Sequence, residues 1–324
     1  MSDLRTIERK NDVEIIDAYA HVGLPRFQSL AGYQQQMRAV GITAAVLCAF
    51  DSSPDLTAIH DGLSGPGNRF RGIGIPLGSD REELTEAVTG QLSAGFSGIR
   101  LSGADIAERS WLLEVITDHG GIPLVCANAG DPGSAAVLVD HLGRNPESRL
   151  VLGHFGGLPD PALLDAGVVA ALFANPAVSV IFSRQGGYPD HVRLRAERLV
   201  EVCGWRRVLW GSESPVLYWR NERLDTALAW IDELAPTQAQ RQDFLGGNAR
   251  RLFFDTEPVV RPLDLPFDPW ERSNVVRAFA FANGVDLDQH TVGGIVQAWL
   301  ADGQPGTFGE YTEQLIKQAL ANRS

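Results

Sequence analysis

Eight short apolar segments, each followed by a helical pattern, constrain the fold of this chain more than any other feature. The segments are Val13–Ile16, Thr43–Phe50, Phe70–Gly78, Ser97–Gly103, Ile122–Asn128, Arg149–Gly157, Val178–Ser183 and Arg206–Pro215. Continuously apolar strands that alternate with helices are typical of a parallel sheet covered on both faces. Eight such units predict an α/β fold, a (β/α)₈ TIM barrel. A doubly wound open sheet is the alternative, but no glycine-rich phosphate loop follows any of the eight segments.

Cap residues mark some helices of the predicted barrel. Ser29 and Asp80 are predicted N-caps, and Gly41 is predicted to end the first helix. The predicted barrel occupies residues 13–257.

Residues 258–324 form a predicted C-terminal helical extension. A proline-rich connector, RPLDLPFDPW, is followed by three helical patterns of apolar residues. Their apolar positions are Val276 and Phe279; Val292, Ile295, Val296 and Trp299; and Tyr311, Leu315, Ile316 and Leu320. Such stripes are normally buried, so we expect them to pack on the barrel, on each other or on a second chain in a homodimer.

Composition excludes several classes of function. The formal net charge of −12 over 324 residues argues against a nucleic-acid surface. The polar N-terminal segment lacks the apolar core of a signal peptide, and no apolar run is long enough to span a membrane. The three cysteines have neither disulfide-framework density nor metal-ligand spacing. The sequence therefore predicts a cytoplasmic protein with a small-molecule substrate and no membrane or nucleic-acid partner.

Polar residues cluster where the predicted strands end, which is where TIM barrels carry their chemistry. Asp17, Tyr19 and His21 are spaced two apart, so a regular strand would place them on one face. The later strand ends contribute Arg100, Asn128, His154, Ser183, Arg184 and Glu213. Each has a structural explanation alone, such as a core histidine, a surface ion pair or a helix cap, but together they predict a functional pocket.

The remaining histidines are weaker candidates. His60, His119 and His141 fall on predicted helices or helix ends, and His290 lies in the extension. We expect most of them to be surface residues. His191 is kept as a candidate loop contributor to the pocket.

The motifs IIDAYAHVG, GIRL, IPLV–NAG, LVLGHFGG, VLWGSESP and FLGGNARRLF occur in this order between Val13 and Phe254. In this respect the chain resembles the second amidohydrolase family, whose members include aminocarboxymuconate-semialdehyde decarboxylase. The resemblance implies a TIM-barrel hydrolase or decarboxylase with one divalent metal. In that family the metal is held by an H-x-H at strand one, a histidine ending strand five and an aspartate ending strand eight, and a histidine ending strand six acts in catalysis.

This chain departs from that pattern at the metal ligands. Tyr19 replaces the first histidine, so only His21 remains of the pair, and either Ala127 or Asn128 occupies the strand-five position. Glu213 stands for the aspartate, and His154 matches the catalytic histidine. Zinc needs three or four well-placed ligands. We therefore expect no tightly bound cofactor; if a metal such as zinc binds, its ligands would be His21, Glu213 and His154.

Two functional interpretations follow. In the first, the barrel catalyses hydrolysis of an ester, lactone or amide, or decarboxylation, by acid–base chemistry, as the metal-independent lactonase acting on pyrone dicarboxylate does in the wider superfamily. The predicted catalytic residues are His154, His21, Glu213 and Tyr19, and the predicted substrate-binding residues are Arg100, Arg184 and Asn128. In the second, the barrel is a degenerate relative that binds a ligand or partner without turnover. Titratable residues persist at positions where the family has its metal ligands and catalytic histidine, which favours the enzyme over the degenerate relative.

Overall fold

Eight parallel strands in sequence order form the centre of this computed structural model. The structure describes residues 13–23, 26–50, 56–78, 80–126, 129–184, 189–263, 276, 280, 289–301 and 308–321. The strands are β1 (Ile15–Ala20), β2 (Ile42–Cys48), β3 (Phe70–Gly74), β4 (Gly98–Leu101), β5 (Ile122–Val125), β6 (Leu150–Leu152), β7 (Val178–Phe182) and β8 (Val208–Trp210). Each of them pairs with the next along the chain.

Backbone contacts between the ends of β8 and β1 close the sheet into a barrel. Ala20 and Ser214 form a parallel bridge. The Glu213 amide donates to the Tyr19 carbonyl over 2.7 Å, and the His21 amide donates to the Ser214 carbonyl over 2.7 Å. The predicted (β/α)₈ barrel is therefore confirmed. The junction of β8 and β1 that closes it lies beside the predicted catalytic residues.

Helices surround the barrel. They are α1 (Leu30–Val40), α2 (Leu56–Ser64), α3 (Arg81–Ser93), α4 (Gly103–Glu108), α5 (Leu112–Asp118), α6 (Pro132–Arg144), α7 (Gly167–Ala174), α8 (Pro189–Cys203), α9 (Val216–Trp219), α10 (Leu224–Ala229) and α11 (Gln238–Gln242). Shorter 3₁₀ turns cover His154–Gly157, Pro161–Leu164, Trp205–Arg207 and Trp230–Leu234, and wider π-type turns cover Asp243–Gly247 and Arg250–Phe254.

The predicted caps are confirmed. The Ser29 hydroxyl accepts from the Gly32 amide and the Asp80 carboxylate accepts from the Glu83 amide, so both satisfy amides that lack a helical partner. Gly41 ends α1 with φ 81°, a conformation that glycine adopts without a steric cost.

The core has an inner layer inside the barrel and an outer layer between strands and helices. Val46, Val151 and Leu209 belong to the inner layer. Their chain neighbours Leu47 and Leu152 belong to the outer layer, as the alternation of a strand requires. Both layers are almost inaccessible to water, so each strand is buried on two faces.

The prediction that Asp17, Tyr19 and His21 share one face is wrong for Asp17. Ile16 and Ala18 lie inside the barrel, so Asp17 between them faces outward, where its carboxylate accepts from the Tyr33 hydroxyl of α1 over 2.7 Å. The pairing of β1 with β2 is irregular between Asp17 and Ala20. This irregularity breaks the period of two and returns Tyr19 to the interior.

Two helices of the C-terminal extension lie among the described residues, α12 (Gln289–Ala301) and α13 (Phe308–Ala321). Val276, Trp299 and Ile316 are buried, as the apolar stripes predict. Ile295, Tyr311 and Leu315, from the same stripes, are only half-buried. Phe279 and most of the first predicted helix lie outside the described residues, as does the connector beyond residue 263. No helix in the described part of the chain is long and apolar enough to cross a membrane.

Candidate active site

Tyr19 lies between two histidines at the C-terminal end of the barrel. Its ring centroid is 5.0 Å from that of His21 and 5.0 Å from that of His154, edge-on to both. The His154 Nε2 atom is 3.5 Å from Oε1 of Glu213. The structure therefore brings together the four residues predicted to be catalytic, which come from the ends of β1, β6 and β8.

Two arginines hold the Glu213 carboxylate, which is only 2% exposed. Arg184 donates from Nε to both oxygens over 3.1 Å and from Nη2 to Oε1 over 3.0 Å. Arg220 donates from Nη1 to Oε2 over 2.6 Å. Arg184, predicted to bind a substrate carboxylate, is thus engaged by the protein's own carboxylate. Arg220 was not anticipated from the sequence.

The Tyr19 hydroxyl can act as a hydrogen-bond donor in this site. Arg100 Nε donates to Tyr19 Oη over 3.2 Å, so this hydrogen bond does not use the phenolic proton. The Cys126 Sγ atom lies 3.4 Å from the same oxygen. Burial and the neighbouring Cys126 thiol raise the pKa of Tyr19 well above its ordinary value, so the phenol stays protonated at neutral pH.

His21 is neutral, and one of its nitrogens is fixed by the backbone. Nδ1 is 2.8 Å from the Cys48 carbonyl oxygen, which can only accept, so Nδ1 carries the proton and Nε2 presents its lone pair. Burial lowers the pKa of His21 to about 3. The ring stacks on Phe27 with centroids 4.6 Å apart, and Phe27 stacks in turn on Trp219.

His154 is neutral as well. Its Nδ1 is 2.7 Å from the Ser183 hydroxyl, which can donate or accept and therefore allows either tautomer of the ring. Burial, and then the charges of Arg184, Arg100 and Arg220, hold the pKa of His154 well below its ordinary value. Ser183, predicted only as a polar strand end, is therefore the closest partner of the His154 ring.

Three non-glycine residues of the site have left-handed backbone conformations. His154, Arg184 and Glu213 have φ values of 54°, 62° and 56° and follow β6, β7 and β8. Each such conformation costs about 1 kcal/mol or more for a residue with a β-carbon. Three neighbouring strand ends thus carry strained backbone where their side chains converge on one site.

The donor set of the site does not suit a divalent cation. The described residues hold no group of three or more histidine, cysteine, aspartate or glutamate side chains placed to bind one ion. Both Glu213 oxygens already accept hydrogen bonds from guanidinium groups, and a metal would have to displace or oppose these positive charges. The Tyr19 phenol occupies the space between the two imidazoles.

The remaining predicted candidates have different outcomes. Asn128, Ala127 and the side chain of His191 fall outside the described residues. His141 is an exception to the expectation that most of these histidines are surface residues: it is fully buried, with Nδ1 3.0 Å from Glu114 and Nε2 3.3 Å from Ser148. His119 contacts the Val115 carbonyl of its own helix.

A family model described as amidohydrolase matches residues 14–254, three quarters of the chain. The chain belongs to the second amidohydrolase family. No curated protein matches it significantly.

Several solved amidohydrolase-like structures resemble this chain. A candidate 2-pyrone-4,6-dicarboxylic acid hydrolase from Pseudomonas putida is 27% identical, with a TM-score of 0.60, covering 76% of this chain and 99% of its own. A 5-carboxyvanillate decarboxylase from Sphingomonas paucimobilis is 15% identical, with a TM-score of 0.57, covering 75% of this chain and 100% of its own. An amidohydrolase from Burkholderia multivorans with bound zinc is 16% identical, with a TM-score of 0.56, covering 74% of this chain and 98% of its own. The last two show the fold alone.

Proposed function

We propose that this amidohydrolase is an acid–base hydrolase or decarboxylase for a small carboxylate-bearing substrate and works without a tightly bound metal. One observation carries the proposal: two neutral imidazoles flank a protonated phenol, while guanidinium groups engage the carboxylate that would otherwise complete a metal site. The family contains both hydrolases and decarboxylases, and carboxylate substrates appear in the names of its relatives.

Guanidinium nitrogens without a hydrogen-bond partner among the described residues support a substrate that carries a carboxylate. Arg184 uses Nε and Nη2 for Glu213, and its Nη1 has no partner among the described residues. The Arg220 Nη2 atom is buried and also lacks a hydrogen-bond partner in the described part of the chain. A substrate carboxylate that reaches either nitrogen would pair with it without breaking the contacts to Glu213. Arg100 supplies a third positive charge beside Tyr19.

His154 is the proposed proton-transfer group. In hydrolysis, its unprotonated nitrogen takes a proton from water as the water oxygen bonds to the substrate carbonyl carbon, and the Tyr19 O–H donates to the oxyanion that forms. The tetrahedral intermediate then expels the alkoxide or amine, which takes the proton back from His154. A substrate carboxylate paired with Arg184 would offset part of the charge that lowers the pKa of His154, making the ring a better base once substrate is bound.

A screen of small carboxylate-bearing esters, lactones, amides and decarboxylation substrates, followed by kinetics of His154→Asn, tests the proposal. General acid–base catalysis is typically worth about 10²–10⁴-fold, so kcat should fall by that factor. His60→Asn is the matched control. His60 contacts the Arg261 carbonyl and none of the candidate active-site residues, so this variant should leave kcat unchanged. Turnover by His154→Asn close to that of the parent protein would overturn the assignment. Saturable binding of carboxylates with no turnover in the parent protein would favour the degenerate relative instead.

A further inference from the structure

A cavity of about 400 Å³ opens at the end of the barrel opposite the candidate active site. Ser97, directly before β4, and Ile122, the first residue of β5, both line it. Because all strands are parallel, these positions belong to the N-terminal face. The chain leaving the barrel, at Asp255 to Arg261, forms another part of the wall.

The buried cation Arg71 lines this cavity. Its side chain is 1% exposed, yet its three nitrogens donate only to neutral acceptors: Nε to the Phe253 carbonyl over 2.7 Å, Nη1 to the Phe70 carbonyl over 2.9 Å and Nη2 to the Thr256 carbonyl over 2.8 Å. Nη1 also contacts the Asn68 side-chain oxygen. No carboxylate among the described residues forms an ion pair with it. Glu257, which accepts from the Asn68 side-chain amide over 3.3 Å, acts on the Arg71 charge without pairing with it directly, while Arg250 opposes it. A buried guanidinium without a directly paired carboxylate is costly, and an anion in the cavity would offset part of this cost.

Two further arginines line the cavity, and neither forms an ion pair within the described part of the chain. Arg149 donates from Nη1 to the Leu252 carbonyl over 3.0 Å, which leaves its other nitrogens available, and the Arg261 guanidinium is exposed. His119 adds an imidazole whose Nδ1 is tied to the Val115 carbonyl over 2.8 Å. Asp255 is the one acidic side chain in the described wall. Three guanidiniums line the cavity against Asp255, with Glu257 as a second carboxylate near Arg71, so the positive charges still outnumber the negative ones in a chain of net charge −12.

We propose that this cavity binds a small, multiply charged oxyanion, a phosphate ester or a polycarboxylate, as a second ligand site separate from the active site. Guanidinium groups match the oxygen geometry of phosphates and carboxylates through paired hydrogen bonds. The buried rings of Phe96 and Phe253 give the wall an apolar part that can contact the carbon skeleton of such a ligand. The volume falls within the range of small-molecule sites, about 300–1,000 Å³.

Titration of the full chain with pyrophosphate and with citrate tests this site, by calorimetry and by thermal unfolding at constant ionic strength set with sodium chloride. Saturable binding that raises the unfolding temperature is expected, because a ligand of the native state stabilises it by mass action. Loss of one charge-assisted contact should weaken binding by about tenfold in Arg149→Gln and in Arg261→Gln. Arg38→Gln removes an exposed arginine that does not line the cavity and should leave the affinity unchanged.

The candidate active site also presents arginines to the same anions, and Arg184→Gln distinguishes binding there from binding in the cavity. Binding that persists in Arg184→Gln but weakens in Arg149→Gln and Arg261→Gln supports the proposal. Pyrophosphate binding alone would assign the site to phosphate esters, and citrate binding alone would assign it to polycarboxylates. Binding lost only in Arg184→Gln, or no saturable binding of either anion at millimolar concentrations, would overturn the proposal and leave Arg71 as a purely structural residue.

Discussion

The environment of His21 predicts how the stability of the protein depends on pH. Burial lowers the pKa of His21 from an ordinary 6.5 to about 3, so the native state keeps this ring neutral while the unfolded state protonates it in mild acid. Because the unfolded state binds the proton more tightly, the free energy of unfolding falls as the pH falls through 6.5, and continues to fall until about pH 3. The destabilisation that comes from burying His21 is absent at high pH and is largest below the pKa that His21 has in the native state.

The magnitude follows from the two pKa values. At pH 5 the unfolded ring is almost fully protonated and the folded ring is almost fully neutral. One pKa unit corresponds to about 1.4 kcal/mol, so this one residue should remove about 2 kcal/mol of unfolding free energy between pH 7 and pH 5.

His21→Asn isolates this contribution, because the asparagine amide can still donate to the Cys48 carbonyl but does not titrate. Urea denaturation at several pH values would give the unfolding free energy of both proteins. The difference between His21→Asn and the parent protein should shift by about 2 kcal/mol in favour of the variant on going from pH 7 to pH 5. A difference that stays constant over this range would show that the native state stabilises protonated His21, through water or through the Glu213 carboxylate, and would contradict the prediction.

Three further predictions concern the residues around the site. Asp17→Asn should lower the unfolding free energy by about 2–3 kcal/mol in urea denaturation, since the new amide group would face N–H and O–H donors from Tyr19, Ser212 and Tyr33; a loss below 0.5 kcal/mol would contradict this. Trp219→Ala should change stability by about 1 kcal/mol or less but raise the pKa of His21 in NMR titration, because it uncovers Phe27, on which His21 stacks; an unchanged pKa would count against this shielding. Tyr19→Phe should lower kcat by about 10²-fold or more and lower the unfolding free energy by about 1–3 kcal/mol, because it removes the acceptor of the buried Arg100 Nε. An unchanged kcat would exclude Tyr19 as the oxyanion donor.

The sequence predicted the barrel and the meeting of His21, His154 and Glu213 because both follow from simple rules. Parallel strands with two buried faces are apolar throughout, so their number and order are visible in the sequence. All strands of such a barrel end at one face, so polar strand ends necessarily meet there. These two rules do not depend on the details of any loop.

What the sequence could not predict depends on contacts between distant segments. Asp17 faces outward because the pairing of β1 with β2 is irregular, and no single strand reveals the register of its neighbour. Arg220 lies beyond α9, outside any strand end, and reaches Glu213 only through the path of that loop. His141 is buried because α6 packs its histidine toward Glu114 of α5, a helix pairing that a helical pattern alone does not specify.

Metal content measured together with turnover tests the central claim most directly. The protein should be purified without chelator, its metal content determined, and its activity on the substrate found by the screen measured with and without chelator and with added zinc. We expect far less than one metal ion per chain, activity unaffected by chelator, and no gain from zinc. Stoichiometric metal, with activity that disappears in chelator and returns with zinc, would contradict it.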